Sequence, residues 1–172
     1  WKYDDATKPG KDSHSWLGRL NNIRTALQGQ QGDRRLRLGI AGGEWKKMMA
    51  DATARTRFAS EVKKIIEQYD FDGVDFDFEW PANASEYNNY SATVIQMRST
   101  LGKYVYFTAS LHPVSFKISP EAIDALDFIS YQCYGPAVMR FPYEQFVKDG
   151  EAAVAYGIPK NKLVMGVPFY GS

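Results

Sequence analysis

One stretch of the chain has residue types and spacing that can do chemistry: Phe71-Asp72-Gly73-Val74-Asp75-Phe76-Asp77-Phe78-Glu79-Trp80-Pro81. In an extended strand alternate side chains share a face, so Asp75, Asp77 and Glu79 point one way and Val74, Phe76 and Phe78 the other. At about 3.3 Å per residue the three carboxylates climb roughly 13 Å towards the strand's C-terminal end. The apolar face suits packing against helices, which leaves the acidic face on the inner side of the sheet, where charge is costly to desolvate. Three carboxylates stacked there do not all ionise comfortably. At least one is expected to hold a proton near neutrality, the group titrating as a coupled set. A row of this kind can supply a general acid, and Glu79, last in the row, is best placed to meet a substrate. A solvated acidic face on an edge strand and a divalent-cation site are the competing readings. The first fits poorly with a strand otherwise apolar throughout, and consecutive positions on one strand converge poorly on a single ion.

Elements that could position this row are legible on either side of it. Short apolar runs at Leu36 to Ala41, Phe71 to Phe78, Tyr104 to Leu111, Phe128 to Tyr134 and Leu163 to Tyr170 read as strands. Between them the spacing predicts helices. Residues 16–30 place Leu17, Leu20, Ile23 and Leu27 on one face, and residues 55–69 do the same with Phe58, Val62, Ile65 and Ile66. Ser85 and Ser119 stand where N-caps belong, Pro120 follows at a first helical position, and Gly157 with Pro159 reads as a helix stop. Alternating strands and helices imply an α/β fold with a parallel sheet, either doubly wound or a (β/α)₈ barrel, and no glycine-rich phosphate fingerprint follows the first strand.

Composition bounds the rest. With 172 residues, 44% hydrophobic and 24% charged, the chain is long enough for one core and is neither disordered nor a coiled coil. A net charge of +1 gives no electrostatic pull towards nucleic acid or an anionic membrane, and no apolar run approaches the length of a membrane span. One cysteine and two histidines exclude a disulfide framework and a Cys/His zinc site. Cys133 reads as an inert buried thiol, and His14 and His112 as packed or solvated residues without a nameable partner. The sequons at Asn83 and Asn89 fit N-glycosylation, a pattern common by chance.

The run Asp72-Gly-x-Asp75-x-Asp77-x-Glu79 is similar, at every fixed position, to the signature of glycoside hydrolase family 18, the chitinases and their relatives. Three weaker motifs agree in order and spacing. Ile40-Ala41-Gly42-Gly43 resembles the family's Ser-x-Gly-Gly, Tyr131-Gln132-Cys133-Tyr134 resembles its Met-x-Tyr-Asp, and Val167-Pro168-Phe169-Tyr170-Gly171 resembles the following strand.

The resemblance implies a (β/α)₈ TIM barrel of which the chain covers about strands 3–7. Residues 1–172 would then be a central part of a catalytic domain, with open sheet edges that promote aggregation. It also implies retaining, substrate-assisted hydrolysis of β-1,4-linked N-acetylglucosamine through an oxazolinium intermediate, with no cofactor and no metal. By that analogy Glu79 protonates the leaving oxygen and later activates water, and Asp77 binds the acetamido N–H. Asp75 shares a proton with Asp77, and Tyr134 donates its hydroxyl to the acetamido oxygen. Gly42, Gly43 and Gln132 belong to the substrate-binding set, with Trp45, Trp80 and Tyr170 as sugar-stacking rings, while Phe58, Phe107 and Phe128 read as core.

The implied partner is chitin or a chito-oligosaccharide, the implied location extracellular, and the full-length form a monomer. Two alternatives stand beside chitinase. One is an endo-β-N-acetylglucosaminidase acting on N-glycans, against which Trp80-Pro81 and the Pro168 strand argue. The other is a non-catalytic carbohydrate-binding relative, against which Glu79 argues. Departures from the pattern are Ala41 at or next to the family's serine, Gln132 for the methionine, and Gly135 for the aspartate. Loss of that aspartate is expected to move the pH profile more than to abolish turnover.

Overall fold

The computed structural model describes residues 16–29, 34–42, 44–134 and 142–169. The chain divides into two compact units, Trp1–Arg35 and Leu36–Ser172. In the first, one helix is described, α1 (Trp16–Gln28), on which Leu20 is buried while Ile23 is 46% exposed, so the expected apolar face is incomplete.

The second unit is built of consecutive βα steps. Its elements are β1 (Arg37–Gly42), α2 (Lys46–Ala50), α3 (Ala52–Tyr69), β2 (Gly73–Phe78), α4 (Ala84–Leu101) and β3 (Tyr106–Leu111). There follow α5 (Pro120–Ala125), β4 (Phe128–Gln132), α6 (Tyr143–Tyr156), a 3₁₀ turn at Lys160–Lys162 and β5 (Leu163–Gly166). All strands are parallel, in the order β1-β2-β3-β4-β5. Each of the five expected strands is present: β1 is shifted by one residue at equal length, β2, β3 and β4 are two residues shorter than their apolar runs, and β5 is four shorter. No helix among the described residues is long and apolar enough to cross a membrane.

Local chemistry explains the helix ends. Asp51 caps α3 by accepting from Ala54 N–H, and Ser119 caps α5 by accepting from Ala122 N–H with Pro120 next. The cap of α4 is Asn83, not Ser85. Asn83 accepts from Glu86 N–H at 3.0 Å while the Glu86 carboxylate accepts from Ala82 N–H at 2.7 Å, a reciprocal arrangement that leaves Ser85 inside the first turn. Gly157, at φ 121°, ends α6 as expected.

Strand alternation divides the sheet's faces. Val74, Phe76 and Phe78 of β2, Phe107, Ala109 and Leu111 of β3, and Ile129 and Tyr131 of β4 are buried in the helix-covered core. They meet Phe58, Val62 and Ile66 of α3 and Tyr90, Val94 and Met97 of α4 in the same cluster. Tyr90 fixes the depth of α4: its hydroxyl donates to the Phe76 carbonyl at 3.1 Å, and its ring lies 5.2 Å from Phe76 and 5.8 Å from Phe78. At the N-terminal ends of the strands, Arg98 donates to the carbonyls of Ala125, Gly102 and Val105 and pairs with Asp127 at 2.8 Å. Lys162 donates to the carbonyls of Ile123, Asp124 and Leu126, closing the C-terminus of α5.

Gly73 opens β2 where a side chain has no room. A Cβ there would stand 1.9 Å from the Tyr106 carbonyl oxygen, whereas one on Gly39 would meet nothing within 4 Å. Gly73→Ala is therefore expected to cost about 3 kcal/mol, the upper end for overpacking, because the obstacle is backbone. That corresponds to a Tm lower by roughly 10 °C. Gly39→Ala should leave Tm within about 3 °C or raise it slightly. Thermal unfolding by circular dichroism checks both, and equal effects would contradict the steric account.

Candidate active site

The opposite face of the sheet carries the acids. In register, Asp75 lies between Gly39 of β1 and Thr108 of β3, and Asp77 between Ala41 and Ser110. The β1 side offers no side-chain donor at either level, so the donors come from elsewhere. Ser110 Oγ donates to Asp75 Oδ2 at 2.8 Å, Thr108 Oγ1 donates to Asp75 Oδ1, and Arg37 Nη1 stands 3.4 Å from that oxygen while also donating to Thr108. The Arg37 guanidinium lies over the Phe128 ring, 4.9 Å from its centroid. Phe128 is thus a half-buried residue of the polar face and not the core residue its apolar run suggested, because strand parity places it in line with Ser130 and Gln132.

Asp77 is the perturbed member of the row. Burial, then the negative charges of Glu79 and Asp75, push its carboxyl from an ordinary 3.8 up to about 6, against a side-chain hydrogen bond from Gln132 that lowers it. Its Oδ1 is buried with no hydrogen-bond partner among the described residues. This is an acceptor in place before any ligand is present. The expected protonation near neutrality therefore falls on Asp77, while the bonds to Asp75 come from Arg37, Thr108 and Ser110.

Glu79 lies just past the end of β2 and is exposed. Its backbone is held by β1, since Glu79 N–H donates to the Gly42 carbonyl at 3.1 Å. Gly42 sits at φ 136°, a conformation side chains rarely adopt, and a Cβ there would stand 3.3 Å from Trp45 Nε1. The Glu79–Trp80 peptide is cis. Trp80 is half-buried, its ring 5.6 Å from that of His112. Tyr134 is half-buried beyond β4, with ring carbon Cε1 3.3 Å from where a Cβ on Gly166 would be, so glycine at 166 leaves room for that ring.

Asp75, Asp77, Ser110, Gln132 and Arg37 thus gather on one face, with Glu79, Trp80 and Tyr134 at its C-terminal rim. Trp45 is placed differently: its ring packs 5.5 Å from Phe58, against the helix-side core. Gly43, Gly135, Tyr170 and His14 lie outside the described residues. Cys133 is buried on the helix side with its thiol pushed up to about 12 by burial and the Asp149 charge, in keeping with an inert thiol. Sequence reading missed Arg37, Thr108, Ser110 and His112. The signal was available: the first three are inward-facing strand positions next to the acids, which parity and register identify once the strands are paired.

The raised pKa of Asp77 has a stability consequence of definite sign. A group that binds its proton more tightly when folded contributes stability that is fully present below about 3.8 and lost as pH rises through about 6. Asp77→Asn removes the titration. Its Tm minus that of the parent should therefore grow between pH 4 and pH 7. A difference that stays flat across this range, measured by thermal melts in matched buffers, would contradict the assignment.

Several known proteins are similar to this chain. The chain is similar to a class V chitinase of Arabidopsis thaliana, at 25% identity over 78% of this chain and 44% of that protein. It is also similar to an endochitinase of Manduca sexta, at 28% identity over 77% and 31%. The chain thus spans less than half the length of these curated relatives. Among solved structures, a chitinase from Bacteroides thetaiotaomicron aligns with a TM-score of 0.78 at 20% identity, covering 92% of this chain and 54% of that one. A family 18 chitinase from Cycas revoluta, in complex with (GlcNAc)3, aligns at 0.72 and 20% identity, covering 87% and 54%. These likenesses show the fold, an α/β chain whose five parallel strands are consecutive βα units of a (β/α)₈ barrel. The model of the glycosyl hydrolases family 18 matches residues 2–172, and the chain belongs to that family.

Proposed function

We propose that residues 1–172 are part of the catalytic domain of a chitinase, cleaving β-1,4-linked N-acetylglucosamine with retention and with help from the substrate's own acetamido group. The observation that carries this reading is the acidic row itself. It combines one exposed carboxylate at the strand end with a buried neighbour pushed up to about 6, whose Oδ1 awaits a donor. A retaining enzyme with a carboxylate nucleophile would need a second carboxyl at about 5 Å across the sugar. Asp77 is recessed below Glu79 on the same strand, a place suited to supporting a substrate nucleophile from beneath.

In this mechanism Glu79 gives its proton to the glycosidic oxygen as the bond from that oxygen to carbon 1 breaks. The acetamido oxygen bonds to carbon 1 and forms an oxazolinium ion. Asp77 accepts a hydrogen bond from the acetamido N–H, and its negative charge stabilises the developing cation. Tyr134 donates to the acetamido oxygen and holds it in line with carbon 1. Glu79, now a carboxylate, takes a proton from water as the water oxygen bonds to carbon 1, opening the ring and restoring the acid. Asp75, with its donors on β3 and Arg37, stands beneath Asp77 and is one of the charges that raise its pKa. Ser110 and Thr108 replace the hydroxyl that Ala41 lacks. Trp80 is proposed as a sugar-contacting ring at the rim. Chitin lies outside the cell or in the wall, so the site of action is extracellular.

The test is mass-spectrometric detection of products from chitohexaose. Glu79→Gln should lower the rate by about 10²–10⁴-fold, the contribution of a positioned general acid. Equal product release by the parent and this variant would rule out Glu79 as the acid.

A further inference from the structure

His112, which the sequence left without a partner, stands immediately after β3 with 5% of its surface exposed. Its ring bonds settle its tautomer. Val114 N–H donates to Nδ1 at 3.3 Å, and a backbone N–H can only donate, so Nδ1 carries the lone pair and the proton is on Nε2. Nε2–H then donates to the Tyr134 carbonyl at 2.9 Å. The same ring contacts Trp80, the residue after Glu79, at 5.6 Å between centroids. The imidazole is itself held by its turn: Ser115 N–H donates to the His112 carbonyl at 2.7 Å, and Tyr87 of α4 donates to Ser115 Oγ at 3.2 Å. One buried side chain therefore links the C-terminal ends of β2, β3 and β4, the ends that carry the acid and the tyrosine.

We propose that His112 is a positioning residue. Through its Nε2–H it fixes the backbone of Tyr134, and with it the reach of the tyrosine hydroxyl, and through its ring face it sets the wall formed by Trp80. This rests on the reading that Tyr134 holds the acetamido oxygen. The strand β4 ends at Gln132, so the bond between the Tyr134 carbonyl and His112 acts where β4 no longer supplies ladder bonds. Misplacement by about 1 Å of a group that aligns the nucleophile can cost on the order of 10²-fold in rate.

The test compares His112→Leu, which keeps bulk but loses the donor, with His112→Gln, whose amide N–H can reach the same carbonyl. On chitohexaose, Leu should lower kcat by about 10–100-fold with KM within about threefold, and Gln should restore most of the loss. In a cycle with Tyr134→Phe, the double variant His112→Leu/Tyr134→Phe should be little slower than Tyr134→Phe alone, since both act on one group. Independent, multiplying effects, or Leu and Gln equally impaired at equal Tm, would overturn the proposal. Nitrogen-15 spectroscopy of the imidazole tests the linkage without turnover. A slowly exchanging Nε2–H supports the proposal, also if His112→Leu does not fold, and a proton on Nδ1 or a freely exchanging ring overturns it. Should the parent release nothing from chitohexaose while the slow Nε2–H is present, the reading that residues 1–172 cleave it unaided fails and the His112 linkage stands.

Discussion

The cost of placing carboxylates along the inner face of a parallel strand governs this structure. A buried carboxylate needs donors or a proton, and the row on β2 uses both. Asp75 draws hydroxyl donors from β3 and a guanidinium from β1, and Asp77, one step higher, has its proton affinity raised instead. The neighbouring strands are shaped by this need. At the level of the two aspartates β1 carries Gly39 and Ala41, and β3 carries Thr108 and Ser110, so space lies on one side and donors on the other. The helix-covered face has the opposite requirement and meets it with Phe76, Phe78 and Tyr90.

The strands and the acidic row were legible because both follow from period-two alternation in a single segment. Five apolar runs gave five parallel strands, and Asp75 and Asp77 fell on the face opposite Val74, Phe76 and Phe78 as the alternation requires. What was not legible depends on pairing. The donors to Asp75 come from residues 38, 33 and 35 positions away in sequence, and only the register of β1 and β3 brings them to its level. Phe128 misled for a related reason. Next to Ile129 it reads as core, yet parity assigns it to the polar face, where a guanidinium covers it.

Local errors had local causes. Ser85 lost the cap of α4 to Asn83 because Glu86 can reach back only when the helix starts two residues earlier. Trp45, read as a candidate sugar floor because it follows the glycine pair, turns towards Phe58, since α2 begins at Lys46 and carries the indole over the helix layer. His112 is the opposite case, a residue with no sequence signal whose partners become visible only when three strand ends meet. A lone histidine in an apolar context carries no information about what it bonds.

These differences follow one division of labour. Strand interiors fix side-chain direction by alternation and need no help from the loops, so Asp75 and Asp77 are placed by β2 and its ladder alone. Groups beyond the last ladder bond lose that guidance. Glu79 regains it through the Gly42 carbonyl and Tyr134 through His112, each by one hydrogen bond to its backbone. The rim of the site is therefore ordered by contacts between strand ends. A substrate that bridges Glu79 and Tyr134 would add to those contacts instead of creating them, so the ordering that binding would otherwise require is largely done when the sheet forms.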